Sequence, residues 1–204
     1  YKGKRILAVV PARGGSKGIP KKNLALLNGK PLIHHTIVAA QSSRCVADIF
    51  ISSDDPDIIR YSESLGIEVS YRRPSELAED DTPTIDTVLH GLDWWKKNRA
   101  PLPDAVLLLQ PTSPLRTTED IDGAIESFRS SKAKSLTSVH KPIEHPYQCL
   151  ESNGDRWLFL KKHGENITRR QDYPENFFII NGAIYLVATE LLLSKKTFIV
   201  EGET

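Results

Sequence analysis

The 204-residue sequence has little of several features that would place a chain in a particular class. It has only two cysteines, Cys45 and Cys149, which excludes a disulfide framework and is typical of a reducing compartment. No apolar run reaches the 18 residues that a membrane-spanning helix needs, and the N-terminus does not resemble a signal sequence. We therefore expect an intracellular protein with no membrane partner, cytoplasmic or, in a vertebrate, nuclear.

The sequence also has almost no net charge. The 27 Lys and Arg residues are balanced by 26 Asp and Glu residues, which gives +1 and excludes the overall basic field of nucleic-acid-binding proteins. There are no internal repeats and no low-complexity segments. A chain of this length can bury roughly 70% of its unfolded surface in one core. We expect one domain over residues 1–204 and no nucleic-acid partner.

A local concentration of positive charge follows the first predicted strand. Ile6–Val10 is a short apolar run that is typical of a strand buried on both faces. The next segment, Arg13 to Asn23, contains three glycines, one serine and four Lys or Arg residues. Glycines let the backbone approach a ligand, and successive N–H groups with nearby cations bind anions. The pattern predicts a polyphosphate site.

Two common phosphate-binding motifs do not fit this segment. Neither Gly14 nor Gly15 begins the P-loop spacing, and the dinucleotide pattern of three spaced glycines is also absent. These absences weigh against a P-loop ATPase and an NAD-binding enzyme. The alternative without a ligand is a flexible, solvated basic loop.

The rest of the chain alternates predicted strands with predicted helices. After the first strand, strands are expected at Asp48–Ser52, Ile67–Tyr71, Ala105–Leu109, Ser135–Val139 and Ala183–Val187. The alternation through Ser130 indicates an α/β fold with a doubly wound, mostly parallel sheet, and the most apolar strand, Ala105–Leu109, should be central. Lys141 to Tyr173 is a charged excursion with a small hairpin around Trp157–Leu160.

Polar segments should meet at the carboxyl edge of this sheet. They are the Arg13–Asn23 loop, the region of Arg72, and Gln110 to Arg116. Asp54, directly after a strand, is either part of that site or only a cap of the next helix.

Three blocks of the sequence carry a family resemblance. They are PARGGSKGIPKKN at Pro11–Asn23, LLQPTSPLR at Leu108–Arg116 and NGAIYL at Asn181–Leu186, and RPSELAEDDTPT at Arg73–Thr84 also matches. In these blocks, and over nearly its whole length, the sequence resembles the acylneuraminate cytidylyltransferases, the CMP-sialic acid synthetases. The resemblance implies a Rossmann-like nucleotidyltransferase that moves CMP from CTP to the anomeric hydroxyl of a sialic acid, releasing pyrophosphate, with Mg²⁺ as cofactor.

The resemblance also implies roles for individual residues. The expected catalytic residues are Arg13, Lys22 and Arg170. Contacts with the nucleotide phosphates and ribose are expected from Arg13, Ser16, Lys22 and Asn23, and a contact near the cytosine from Arg72 or Arg73. Lys17 is a further expected substrate-binding residue. Contacts with the sugar are expected from Gln110 and Tyr185, and a grip on its carboxylate from Arg169, Arg170 and Gln171.

The resemblance implies an assembly as well. The excursion, about residues 141–178, would be an inserted dimerisation lobe whose tip reaches the partner's site in a homodimer or a dimer of dimers. The family's acidic metal-binding segment would follow Thr204, so the metal ligands are left unassigned. Two alternatives stay open: the same chemistry on Kdo, legionaminic or pseudaminic acid, and a truncated, non-catalytic nucleotide-binding homologue.

Overall fold

The computed structural model describes residues 3–161 and 169–204. The strands are β1 (Ile6–Pro11), β2 (Leu26–Leu27), β3 (Lys30–Pro31), β4 (Asp48–Ser52), β5 (Ala105–Leu108), β6 (Ser135–His140), β7 (Leu150–Asn153), β8 (Arg156–Phe159) and β9 (Ile179–Ala188). The α-helices are α1 (Leu32–Gln41), α2 (Pro56–Ser64), α3 (Thr84–Asn98), α4 (Thr118–Ser130) and α5 (Thr189–Lys195). Short 3-10 helices lie at Lys22–Leu24, Ser75–Leu77, Pro146–Gln148 and Arg170–Asp172.

The larger sheet has five strands in the order β4-β1-β5-β9-β6. Strand β1 runs parallel to β4 and to β5, whereas β9 runs antiparallel to β5. Parallel neighbours require crossover connections that cover the faces of the sheet with helices. The predicted α/β fold with a mostly parallel sheet is therefore confirmed, and the most apolar strand, β5, lies at its centre.

Both faces of the sheet are covered. Ile6, Ala8 and Val10 pack in one core cluster with side chains of α1 and α4, and Leu7 and Val9 pack in a second cluster with side chains of α3 and α5. Each of these five side chains is at most 1% exposed. This alternation explains why the run is continuously apolar, since a strand between two helical layers has no solvent face.

Side-chain caps fix the start of two helices. Asp55 accepts hydrogen bonds from the N–H groups of Asp57 and Ile58 and begins α2. Thr117 and Asp120 form a capping box that begins α4. In the described ranges, 3–161 and 169–204, no helix has both the length and the apolar composition needed to cross a membrane.

The predicted strand at Ile67–Tyr71 is wrong. Within the described residues this segment belongs to no ladder, although Ile67 and Tyr71 are buried and Glu68 and Ser70 are exposed, as in a strand. Side chains hold the segment instead: the Tyr71 ring lies 4.9 Å from the ring of Phe50, and its hydroxyl bonds to His90. Strand β4 is consequently an edge of the sheet.

The chain divides into two compact units. The larger comprises Tyr1–Ser138 and Gly182–Thr204, and the smaller comprises Val139–Asn181. In the smaller unit, β7 and β8 pair antiparallel, which confirms the predicted hairpin around Trp157–Leu160. A group of aromatic rings also packs there around His145.

Candidate active site

A cleft of about 280 Å³ opens at the carboxyl ends of β1 and β5. Its lining includes Arg13, Lys22 and Asn23 from the glycine-rich loop. Arg73 and Gln110 line it from two other parts of the chain. Parallel strands end at a common edge, which is why these segments meet. The cleft thus brings together five of the residues that the sequence singled out, and their contacts with substrate remain predictions.

The carboxylate of Asp80 joins two cations of the loop. Arg13 Nη2 lies 2.6 Å from Asp80 Oδ1, and Lys17 Nζ lies 2.8 Å from Asp80 Oδ2. These contacts, led by the hydrogen bond from Lys17, hold the pKa of Asp80 below its ordinary value. Sequence reasoning did not single out Asp80, because a pairing between distant parts of the chain leaves no local signal.

Two adjacent lysines of the loop have different surroundings. Lys21 has a left-handed backbone, φ 48°, and its Nζ lies 3.0 Å from Asp57 on α2, a hydrogen bond that raises the pKa of Lys21. Lys22 is half-buried and lines the cleft. Asn23, next along, is buried and donates its side-chain N–H to the Arg13 carbonyl at 2.9 Å, which closes the loop on itself.

The loop is also attached to the end of β4. The Gly14 N–H donates to Asp54 Oδ1 at 3.0 Å, while Asp55 rather than Asp54 caps α2. A Cβ at Gly14 would lie 2.6 Å from Asp55 Oδ2, so only glycine fits this approach. Asp54 therefore anchors the loop, and the Gly14 amide is already engaged. Ser16, two residues on, is half-buried.

The structure distinguishes the two neighbouring arginines. Arg73 is 5% exposed and lines the cleft, whereas Arg72 is exposed. The Arg73 guanidinium donates from Nε to Ser52 Oγ at 3.0 Å and from Nη2 to the Ser52 carbonyl. Burial lowers the pKa of Arg73. Of the two candidates for the position near the base, Arg73 is the one at the cleft.

The two expected sugar contacts approach one point. A Cβ built at Gly182 would lie 3.8 Å from Gln110 Oε1 and 3.8 Å from the Tyr185 hydroxyl. Gly182 itself has a positive φ of 74°. The Tyr185 ring packs against Phe198, with centroids 5.8 Å apart. A side-chain amide and a phenol, both able to donate and accept hydrogen bonds, therefore lie close together.

Arg116, in the loop between β5 and α4, is a buried residue that the sequence placed in a site segment but to which it gave no role of its own. It is 6% exposed and donates to the Ala183 carbonyl at 2.7 Å, to the Gln110 carbonyl at 3.3 Å and to Thr36 Oγ1 at 2.9 Å. Burial lowers the pKa of Arg116 to about 10. Its place in the LLQPTSPLR block was the one available signal.

Comparison with known protein families shows which family the chain belongs to. A family model described as cytidylyltransferase matches residues 7–187. The chain belongs to the cytidylyltransferase family. It is 37% identical over 196 residues to a CMP-N,N'-diacetyllegionaminic acid synthase of Legionella pneumophila, covering 95% of this chain and 82% of that protein.

Two further relatives match the chain at lower identity. An N-acylneuraminate cytidylyltransferase of Streptococcus agalactiae is 33% identical, and the match covers 94% of this chain but 45% of that protein. A pseudaminic acid cytidylyltransferase of Campylobacter jejuni is 30% identical, with 93% and 81% covered. The chain thus spans less than half of the streptococcal relative and about four fifths of the other two.

Solved structures show that this cytidylyltransferase has the fold of its family. CMP:2-keto-3-deoxy-manno-octonic acid synthetase complexed with CTP superposes with a TM-score of 0.68 at 21% identity, covering 94% of this chain and 77% of that one. The 4-diphosphocytidyl-2C-methyl-D-erythritol synthase of Anaerococcus prevotii gives 0.66 at 18% identity, with 96% and 74% covered. At these identities the likeness concerns the fold alone.

The residues expected to hold the acceptor carboxylate lie in the smaller unit of the cytidylyltransferase. Arg169 is exposed, and its guanidinium forms a two-pronged contact with Asp172, at 2.8 Å from Nε and 2.9 Å from Nη2. Gln171 is exposed. The side chain of Arg170 lies outside the described residues. The three therefore remain predictions, and Arg169 has a carboxylate partner within its own unit.

Carboxylates also lie at the cleft of the cytidylyltransferase. Glu79 and Asp80 both line it. Among the residues that the structure describes, His, Cys, Asp and Glu side chains form no group of three that could hold a metal ion. Mg²⁺ is commonly bound through one or two carboxylates together with substrate phosphates, and this donor set is of that kind.

Proposed function

We propose that the chain transfers CMP from CTP to the anomeric hydroxyl of a nine-carbon keto sugar acid, N-acylneuraminate or a close relative, and releases pyrophosphate. The observation that carries the proposal is the cleft in which Arg13, Lys22 and Asn23 face Arg73 and Gln110. Cations that could bind phosphates thus line the same cleft as polar groups that could recognise a base and a sugar.

The reaction needs positioning and charge more than covalent chemistry. The anomeric oxygen attacks the α-phosphorus, the bond from that phosphorus to the pyrophosphate oxygen breaks, and the hydroxyl proton is lost to solvent or buffer. Negative charge grows on the leaving and non-bridging oxygens. Arg13 and Lys22 are placed to neutralise it, and fixed cations in a partly desolvated site are worth several kcal/mol in the transition state, on the order of 10²-fold in rate each.

We further propose Mg²⁺ as the cofactor. When bound, it would supply positive charge that helps to neutralise the negative charge of the phosphates. Glu79 and Asp80 are the cleft carboxylates able to hold it, and Asp80 would then exchange part of its contact with Arg13 and Lys17 for the ion.

Two acceptors have specific support. The resemblance of the Pro11–Asn23, Leu108–Arg116 and Asn181–Leu186 blocks favours N-acylneuraminate. The 37% identity to a diacetyllegionaminic acid synthase favours that acid as the second candidate. Both carry a carboxylate beside the anomeric carbon, and a guanidinium fork such as that of Arg170 could bind it through two parallel bonds.

Pyrophosphate release with CTP and a panel of acids tests the function. The panel is N-acetylneuraminate, diacetyllegionaminate, pseudaminate and Kdo, each with and without Mg²⁺, and UTP replaces CTP in parallel reactions. We expect release with CTP and one of the first two acids, and strong rejection of UTP, because a buried pocket matched to the cytosine amine leaves its partners mismatched with uracil. No release with any acid, or equal rates with CTP and UTP, would refute the proposal.

We also propose that a second copy of the chain covers the β7–β8 hairpin. Trp157 and Phe159 alternate along β8 with Leu158, and these side chains are 68%, 54% and 49% exposed. A two-stranded sheet with apolar side chains exposed on both faces is not stable alone in water.

Trp157→Asp should convert the protein from a dimer or larger assembly to a monomer in sedimentation experiments, and a monomeric wild type would refute the assembly.

If Arg170 acts in the partner's site, mixing Arg170→Ala chains with Arg13→Ala chains should restore activity, since a hybrid dimer then has one site with both residues intact. Mixtures no more active than their components would confine each site to one chain.

A further inference from the structure

Arg116 is a buried cation whose hydrogen bonds all go to neutral oxygens. They reach the carbonyls of Gln110 and Ala183 and the hydroxyl of Thr36 on α1, which is itself 1% exposed. Its Nε is buried and finds no partner among the described residues. The Asp120 carboxylate acts on the Arg116 guanidinium through its charge, against the larger opposite effect of burial on the pKa of Arg116. Burying a guanidinium that hydrogen-bonds to no carboxylate is costly, so packing alone would be served better by an apolar side chain.

The planar, forked guanidinium of Arg116 makes contacts that explain why a charged group is buried here. One guanidinium nitrogen, Nη1, bridges two carbonyls, that of Gln110 just after β5 and that of Ala183 within β9, while Nη2 reaches helix α1. A planar group with five fixed donors can join three elements in this way, and an ammonium cannot. Arg116 thereby couples the loop after β5 to the start of the Gly182–Tyr185 segment.

Both bridged carbonyls belong to segments that carry expected sugar contacts. Gln110 contributes its own side-chain amide, and Ala183 stands between Gly182 and Tyr185. The Gln110 amide oxygen and the Tyr185 hydroxyl both approach Gly182 at 3.8 Å from its built Cβ. A shift of either backbone would move one of these groups relative to the other.

We propose that Arg116 is a positioning residue for the acceptor: it holds the backbones of Gln110 and Ala183 so that the Gln110 amide and the Tyr185 hydroxyl face the same sugar. The inference rests on the proposed function, in which these two groups contact the acceptor. Arg116 itself touches no reacting atom in this scheme.

Arg116→Met tests it by steady-state kinetics with each substrate varied in turn. We expect the KM for the sugar acid to rise at least about tenfold and the KM for CTP to change less than about twofold, because a displacement of about 1 Å is enough to lose a positioned contact. Arg116→Lys should not rescue the sugar KM. Arg129→Met is the matched control: among the described residues its Nε is also buried without a partner, but Arg129 bonds to Cys45 and to the Lys4 carbonyl, before β1.

A second measurement is independent of turnover. In the ligand-free protein, the side-chain NH₂ resonances of Gln110, assigned with Gln110→Ala, should shift in Arg116→Met and stay in place in Arg129→Met. Unchanged Gln110 signals, or equal losses for sugar and CTP, would overturn the positioning role even if the enzyme is active. If Arg116→Met does not fold, Arg116→Lys is measured in the same way. A wild type inactive with every acid would refute the proposed function while the Gln110 signals still decide the positioning role.

Discussion

Asp80 lies against Arg13, 2.6 Å from its guanidinium, in the cleft where we expect the triphosphate to bind. Its other oxygen lies 2.8 Å from Lys17. A carboxylate therefore occupies the cations that a polyphosphate would use, and it must share them or leave them when the nucleotide arrives.

Asp80→Asn should tighten CTP binding measured by calorimetry in EDTA. Removing the competing charge frees both cations, and the gain should be roughly twofold to fivefold at low salt, as for exposed ion pairs, and vanish at high salt. Glu79→Gln is the control, since it removes a neighbouring cleft carboxylate. Weaker CTP binding by Asp80→Asn in EDTA would contradict the competition. A loss that appears only with Mg²⁺ would assign Asp80 to the metal.

Arg13→Ala and Lys22→Ala should each lower kcat/KM for CTP on the order of 10²-fold, because a positioned cation stabilises charge that develops in the transition state. Lys21→Ala should change it less than about threefold, since Lys21 is held by Asp57. Single-turnover assays with saturating sugar measure the effect. Wild-type rates for Arg13→Ala and Lys22→Ala would show that the loop does not bind the phosphates.

Gly14→Ala should lower the free energy of unfolding by about 1–2 kcal/mol, because the new methyl group displaces the Asp55 cap of α2. Gly15→Ala meets no atom within 4 Å and should be neutral or slightly stabilising. Urea unfolding compares the two. Equal free energies of unfolding for the two variants would mean that the loop moves away from Asp55 and leaves the cap of α2 intact.

Arg73→Lys should cost about 1–3 kcal/mol of stability and raise the KM for CTP, because a lysine cannot reproduce the bonds to the Ser52 hydroxyl and carbonyl. Arg72→Lys should change stability by less than about 0.5 kcal/mol, as is usual for exposed positions. Chemical denaturation and CTP titration report the two quantities. A larger loss of stability and of CTP binding in Arg72→Lys than in Arg73→Lys would give Arg72 the role assigned here to Arg73.

The elements that local sequence patterns define well were predicted closely. The Asp48–Ser52 strand was located to the residue, because an apolar run between polar residues is a local signal. Ile67–Tyr71 has the alternation of a strand but no ladder, since aromatic packing and not backbone pairing holds it. Alternation reports which side chains are buried, and pairing depends on a neighbour distant in sequence.

The candidate site was predictable as a set of segments and not as a set of contacts. The sequence placed Arg13, Lys22 and Gln110 at one sheet edge, and the cleft contains them. It gave no means to choose between Arg72 and Arg73, because the burial of Arg73 depends on its contact with Ser52, at the end of β4. The sequence did not indicate Asp80, or the bonds of Arg116 to Ala183 and Thr36, because these partners lie far along the chain.

At the end of strand β4, one arginine donates hydrogen bonds to carbonyls that a neighbouring strand could otherwise have paired with. The Arg73 N–H donates to the Ser53 carbonyl at 2.9 Å, and its guanidinium donates to the Ser52 carbonyl. Arg73 thus holds the end of this edge strand, whereas the described residues 68–71 belong to no strand. In deuterium exchange, amides 68–71 should exchange through small local fluctuations, whereas the Arg73 amide should exchange only when this end of the sheet opens.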